Sequence, residues 1–345
     1  MIASSHDGPP AWCELLPWQV ELARVALATR ATWPHAILID GPRGIGKLPL
    51  ARHFARALLC EDPQAGAACG QCPSCHYVNA GAHPDLRMVE PIDVDEDGVV
   101  KRLDEIPVKA IRALIEWTQI TSHRSVAKVA VIVPAEVMNL AAANALLKTL
   151  EEPPPATYLL LVAHQPGRIP ATIRSRCSRM PIGVPAPDIA LAWLAEQGVT
   201  AAATVLAQAG GAPLRAQEIA SPDRQQERSA WLQALARPES LAPIALAARI
   251  EAAPKDERSA RLRDAIDWLL AWTADLSRVA AGGEPLRNVD FQRVLGVLAM
   301  KVAPIPLFRY HRTLLEQRAL TTHPLQPRLV VEALLIGYCA LFTDG

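Results

Sequence analysis

"IDGPRGIGKLPL", residues 39–50, is the stretch from which the fold is read. Gly41, Gly44 and Gly46 let the backbone curl so that its N–H groups face an anion, and Lys47 follows where an ammonium reaches phosphates. The next position takes a hydroxyl that holds Mg²⁺ in a hydrolysing phosphate-binding loop, and here it is Leu48. Immediately upstream, "AILID" (36–40) is a short apolar run with the character of a buried strand. Downstream, Leu50, Phe54, Ala57 and Leu58 recur at helical spacing, and Pro49 is tolerated near a helix start. Strand, loop and helix in this order are the context a phosphate loop needs.

Further strands are predicted at 128–134, "KVAVIVP", and 157–164, "TYLLLVAH", both continuous and apolar as in sheets buried on two faces. Between them "LAAANALLKTLEE" reads as a helix stopped by Pro153-Pro154-Pro155. Strands alternating with helices predict a parallel α/β sheet. From Pro181 the texture changes. "MPIGVPAPD" is expected to be a linker, with Asp188 capping the next helix. Beyond it the chain reads as helical throughout, broken at Gly210-Gly211 and restarted at Pro213. Leu262, Ile266, Leu269, Trp272, Leu276 and Val279 mark one amphipathic helix over 261–280.

A hydrolysing loop also needs an acid for Mg²⁺ at the end of a neighbouring strand, with a second to polarise water. The strand at 128 runs out in Val133-Pro134-Ala135, with no acid. Glu136 lies beyond the strand end and is expected to be a solvated helix-entry residue. With Leu48 and both acids missing, the loop loses the metal and positioned charge on which phosphoryl transfer depends. Hydrolysis at this loop is not expected.

Four of the seven cysteines fall within one short segment: Cys60, Cys69, Cys72 and Cys75. Four thiolates at this spacing can close a tetrahedral shell around Zn²⁺, and the small, turn-forming residues between them let a loop wrap a metal. An iron–sulfur run would continue with a further cysteine and proline. Here Cys75 is followed by "HYVN", which favours zinc, with His76 and His83 as spare donors. A closed four-thiolate shell leaves no open position, so the metal is expected to be structural.

"GRIPATIRSRCSRM" (167–180) carries Arg168, Arg174, Arg176 and Arg179, with no acid between Glu152 and Asp188. Three readings fit: a basic surface loop, a patch for DNA phosphate, or an arginine finger presented to a neighbour's γ-phosphate. Over the whole chain, 35 basic residues balance 35 acidic ones, so any nucleic-acid contact must be local. The 345 residues, half of them hydrophobic, suggest two or three domains with sizeable cores. "MIASSHDGPP" does not have the pattern of a signal peptide, and no apolar run reaches membrane-spanning length. The remaining cysteines, Cys13, Cys177 and Cys339, are scattered as in a reduced compartment, so a cytoplasmic protein is expected.

Together, "NALLKTLEEPP" (144–154) and "TIRSRC" (172–177) resemble the clamp-loader branch of the AAA+ ATPases. The four-cysteine insertion after the phosphate-loop helix is similar to that of the bacterial gamma/tau and delta-prime subunits. The missing acids point to the delta-prime family within it. "PWQ" (17–19), "AGAHPD" (80–85) and "IPVKAIRAL" (106–114) fit that family's N-terminal domain, and the resemblance covers about residues 12–215. It implies an AAA+ α/β domain over 1–183 with the zinc module at 60–75. A small helical lid at 184–225 and an all-helical collar domain at 226–345 follow. It implies a stator subunit of the DNA polymerase III holoenzyme with no catalytic activity of its own. Its partners would be gamma/tau and delta subunits in a hetero-pentamer, the sliding clamp and, through the complex, primer-template DNA. By the same resemblance Arg176, within Ser175-Arg176-Cys177, is the finger acting in trans. Arg215 in "GGAPLRA" holds the sensor-2 position, and the sensor-1 position near His164 departs from the active ATPases. "GPRGIGK" is more complete than the degraded loops of that family, so ATP held by Gly41, Gly44, Gly46 and Lys47 would be bound but not cleaved. The competing expectations are an active gamma/tau-like ATPase and a stand-alone zinc-dependent DNA-binding protein. Leu48 and the acid-free strand end oppose the first. Zero net charge and the lack of aromatics among the arginines oppose the second.

Overall fold

The computed structural model describes residues 14–94, 100–124, 127–255, 257–320 and 326–343. Cys13 and the opening decapeptide lie outside them. The chain forms two compact units, Met1–Trp193 and Leu194–Gly345, and the expected lid at 184–225 straddles their boundary.

The first unit is built on a five-stranded sheet. Its strands are β1 (Ala36–Asp40), β2 (Leu86–Val89), β5 (Lys128–Ile132), β6 (Thr157–Ala163) and β7 (Ser178–Pro181). Their order is β2-β5-β6-β1-β7, and every pairing is parallel. A short antiparallel pair, β3 (Ile92–Val94) and β4 (Val100–Arg102), stands apart. All five residues of β1 and of β5 are buried, which explains why both are apolar except for Asp40 and Lys128 at their ends. The helices are α1 (Val20–Ala28), α2 (Lys47–Leu59), α3 (Pro73–Asn79), α4 (Val108–Gln119), α5 (Leu140–Glu151) and α6 (Ala171–Arg174). Leu50, Phe54, Ala57 and Leu58 of α2 are all buried, as their spacing predicts. Asn139 caps α5 by accepting from the Ala142 N–H at 2.9 Å.

Two expectations about 178–188 are corrected. Met180 and Pro181 are not linker but part of β7, which pairs with β1 at the sheet edge. An edge strand needs hydrogen bonds on one side only, so it tolerates proline and exposed arginine and lacks an apolar signature. The following helix starts at Pro187, which places Asp188 in its first turn rather than at the cap.

The second unit is helical among its described residues. Arg258–Ala280 is its longest helix, and Leu262, Ile266, Leu269, Trp272 and Leu276 are buried in the core, with Val279 packed against it. The Trp272 indole donates to the Tyr338 hydroxyl at 2.8 Å, which donates to the Leu235 carbonyl at 2.8 Å, so this core satisfies its polar atoms internally. No helix among the described residues is long and apolar enough to cross a membrane.

Candidate functional site

The phosphate loop follows β1 at the carboxyl end of the sheet, where ligands of open parallel sheets bind. Gly41 has φ 151°, and a Cβ there would lie 2.0 Å from the Ile182 carbonyl oxygen. Gly46 caps α2 in the left-handed region, and a Cβ there would strike Leu16 at 2.2 Å and Gln19 at 2.6 Å. Glycine is thus required at both positions by geometry. Gln19 donates to the carbonyls of Ile45 and Gly46 at 3.2 and 2.7 Å, and Trp18 donates to Ile45 at 3.0 Å. "PWQ" therefore clasps the loop from outside, a role the sequence pattern did not disclose.

Lys47 is turned onto its own loop. Its ammonium donates to the carbonyls of Gly41 at 2.7 Å and Pro42 at 2.5 Å. Burial lowers it to about 8, against the raising influence of Glu136 and Asp40. Glu136 corrects the expectation of a solvated residue. It is only 8% exposed, and its Oε1 accepts from the backbone N–H of His164 at 2.9 Å and of Gln165 at 3.2 Å. Among the described residues, its Oε2 and the His164 Nδ1 are buried without hydrogen-bond partners. Burial, together with Lys47 and Arg43, lowers His164 to about 4, so its ring is neutral near pH 7. The curled glycines and Lys47 fit a phosphate, whereas Glu136 places negative charge near Lys47 and Leu48 offers no metal ligand.

The four cysteines converge. The sulfurs of Cys60, Cys69, Cys72 and Cys75 all lie within 4.8 Å of one another, and Cys60 and Cys72 are 3.9 Å apart. A tetrahedral zinc–thiolate shell has S···S edges of roughly 3.8 Å, so the set fits Zn²⁺. Backbone N–H groups of Cys69, Cys72 and Cys75 approach the sulfurs of Cys60, Cys69 and Cys72 at 3.2, 3.3 and 3.4 Å. Cys72 also caps α3, with Pro73 at its first position. The module is tied to the sheet by Glu61, which accepts from Ser74 and from Arg124, each at 2.6 Å. Buried Asp85 orders the Arg124 loop by accepting from Ser122, His123 and Arg124 at 3.0, 3.0 and 3.1 Å. His83 serves this scaffold: its Nδ1 accepts from the Asp85 N–H at 3.0 Å.

Acids outside the arginine-rich segment pair with two of its four arginines. Arg179 makes a two-pronged pair with buried Asp40 at 2.7 and 2.8 Å, and Arg174 donates to the Pro166 carbonyl at 3.3 Å. Arg176 turns onto α5: Nε donates to Glu151 at 2.7 Å and Nη2 pairs with the same carboxylate. Its Nη1 donates to the Thr172 carbonyl at 2.9 Å and the Ser175 hydroxyl at 3.3 Å. Its side chain remains 33% exposed. In the second unit Arg215 is paired with Asp267 at 3.4 Å, a carboxylate also held by Arg318 at 2.6 Å.

The strand register separates two of these sites. Ser178 pairs with Ile37 and Pro181 with Asp40, so Arg176, just before β7, lies at the amino end of the sheet. The loop leaves β1 at the carboxyl end. Four residues of strand put about 13 Å between the two ends.

A family profile described as "DNA polymerase III, delta subunit" matches residues 22–185. DNA polymerase III subunit delta' of Pseudomonas aeruginosa is 35% identical over 342 residues, covering 96% of this chain and 99% of that one. The Escherichia coli K12 subunit of the same name is 32% identical and covers 78% of each chain. DNA polymerase III subunit tau of the same strain is 36% identical over 143 residues, 41% of this chain and 20% of that one.

Proposed function

The chain belongs to the DNA polymerase III delta-prime family, and from that premise we propose that it is a non-hydrolysing stator of the replicative clamp loader. It presents Arg176 to ATP held by an adjacent gamma/tau subunit. The carrying observation is that Arg176 and the chain's own phosphate loop stand at opposite ends of one parallel sheet, so the arginine faces away from any nucleotide in its own cradle. The cradle lacks both strand-end acids and the metal-binding hydroxyl, which supports the absence of turnover. ATP bound there would rest on Lys47 and the loop N–H groups and remain uncleaved.

Zn²⁺ held by Cys60, Cys69, Cys72 and Cys75 has a structural role, fixing the insertion between α2 and α3. The helical segment at 184–225 acts as lid, and 226–345 joins a collar with the gamma/tau and delta subunits of the hetero-pentamer. Arg215, in the sensor-2 position, contacts nucleotide only if this chain's own pocket is occupied. Clamp and primer-template DNA are engaged through the assembled complex.

The test is ATP turnover by the purified chain alone and by the complex reconstituted with gamma/tau and delta. The expected result is none for the chain alone, and a large loss in the complex when it carries Arg176→Ala. Turnover by the isolated chain that disappears in Lys47→Ala would instead make it a gamma/tau-like ATPase. Metal analysis is expected to give about one zinc per chain, lost in Cys72→Ala; iron with visible absorbance would reject the assignment.

A further inference from the structure

We propose that Glu151 is a latch for Arg176: an anionic placeholder that occupies the guanidinium until a neighbour's γ-phosphate replaces it. This rests on the trans-finger reading above. A guanidinium has five N–H donors. Nε and Nη2 are committed to Glu151, and Nη1 to the Thr172 carbonyl and the Ser175 hydroxyl. Nε and Nη2 both reach the same Glu151 oxygen, Oε1, whereas a phosphate accepts two parallel N–H bonds from arginine. Neither edge of this guanidinium can offer such a pair while the in-chain contacts persist. Engagement therefore exchanges one oxyanion for another.

The position of Glu151 supports a role tied to the arginine. It is the last residue of the twelve-residue α5, where the helix dipole disfavours a carboxylate. The helix itself gains nothing from an acid there. Both partners are partly solvated, with side-chain exposures of 33% for Arg176 and 49% for Glu151. Pairs in such surroundings are weak and readily exchanged. By contrast, Arg179 is fastened to a buried carboxylate and is not poised for exchange.

Two measurements test the latch. In the isolated full chain, labelling of Arg176 by phenylglyoxal is followed by mass spectrometry, with exposed Arg168 as the internal reference. Glu151→Gln keeps the shape and removes the charge, and is expected to raise the Arg176 rate about two- to fivefold, the range an exposed pair supports. An unchanged or slower rate overturns the proposal. In the complex, Glu151→Gln is expected to raise DNA-independent ATP turnover by a similar factor, and the rise is expected to vanish when Arg176→Ala is added. A fall in turnover, or a rise that persists with Arg176→Ala, also overturns it. The single Arg176→Ala variant separately tests the finger reading, and the labelling arm does not depend on that reading.

Discussion

Lys47 and Arg176 are both cations held by oxygens of their own chain, but at opposite ends of the sheet and in opposite surroundings. Lys47 is buried on two loop carbonyls, with Glu136 close enough to influence its charge. Arg176 is partly exposed on a surface carboxylate. A buried ammonium satisfied by fixed carbonyls resists displacement, because any replacement must also offset its desolvation. A partly exposed guanidinium on a surface carboxylate exchanges at little cost. The same α/β framework thus keeps one cation closed in and leaves the other partly exposed on an exchangeable pair.

The contrast is sharpest in the assembled complex. Under the proposed finger role, Arg176→Ala is expected to reduce ATP turnover at the neighbouring site by about 10³-fold, whereas Lys47→Ala in the same chain leaves that turnover unchanged. Equal losses from the two variants would break the comparison; single-turnover ATP hydrolysis is the measurement.

A smaller effect separates the acids. Asp40 is buried and bound two-pronged by Arg179, tying β7 to β1 beneath the cradle. Asp40→Asn is expected to cost about 1–3 kcal/mol of stability. Glu151→Gln, at a partly solvated pair, is expected to cost less than about 1 kcal/mol. Urea midpoints of the two variants decide this.

The last effect is on the pH dependence of stability, confined to alkaline pH. Lys47 is lowered to about 8 in the folded chain from an ordinary 10.5. Between those values the unfolded chain binds more protons at this position, so its contribution makes stability rise with pH across that window. Lys47→Met is expected to flatten the rise. A slope unchanged by the substitution would show that Lys47 titrates normally and is not closed in.

Much of the first unit was legible because β1, β5 and β6 are interior strands whose apolar runs are continuous. The cysteines were legible because their ligand set lies in one short segment. What escaped depends on partners remote in sequence. Glu136 reads as a solvated acid until the N–H groups of His164 and Gln165 are brought to it. The segment 167–180 reads as four uncovered arginines until Glu151 and Asp40 pair with Arg176 and Arg179. β7 was missed because an edge strand of "SRMP" has neither alternation nor an apolar run. The clasp of Trp18 and Gln19 on the loop was likewise hidden, since nothing local marks its target.

The sheet order also sets a timetable for biosynthesis. β1 lies between β6 and β7, and its first residue, Ala36, pairs with Leu159, which is translated 123 residues later. At roughly 5–20 residues per second, a nascent β1 waits on the order of 10 s before its first partner has even been synthesised. During that interval "AILID" is an apolar strand with both edges open, so the growing chain is most exposed to association with other chains before residue 159 emerges.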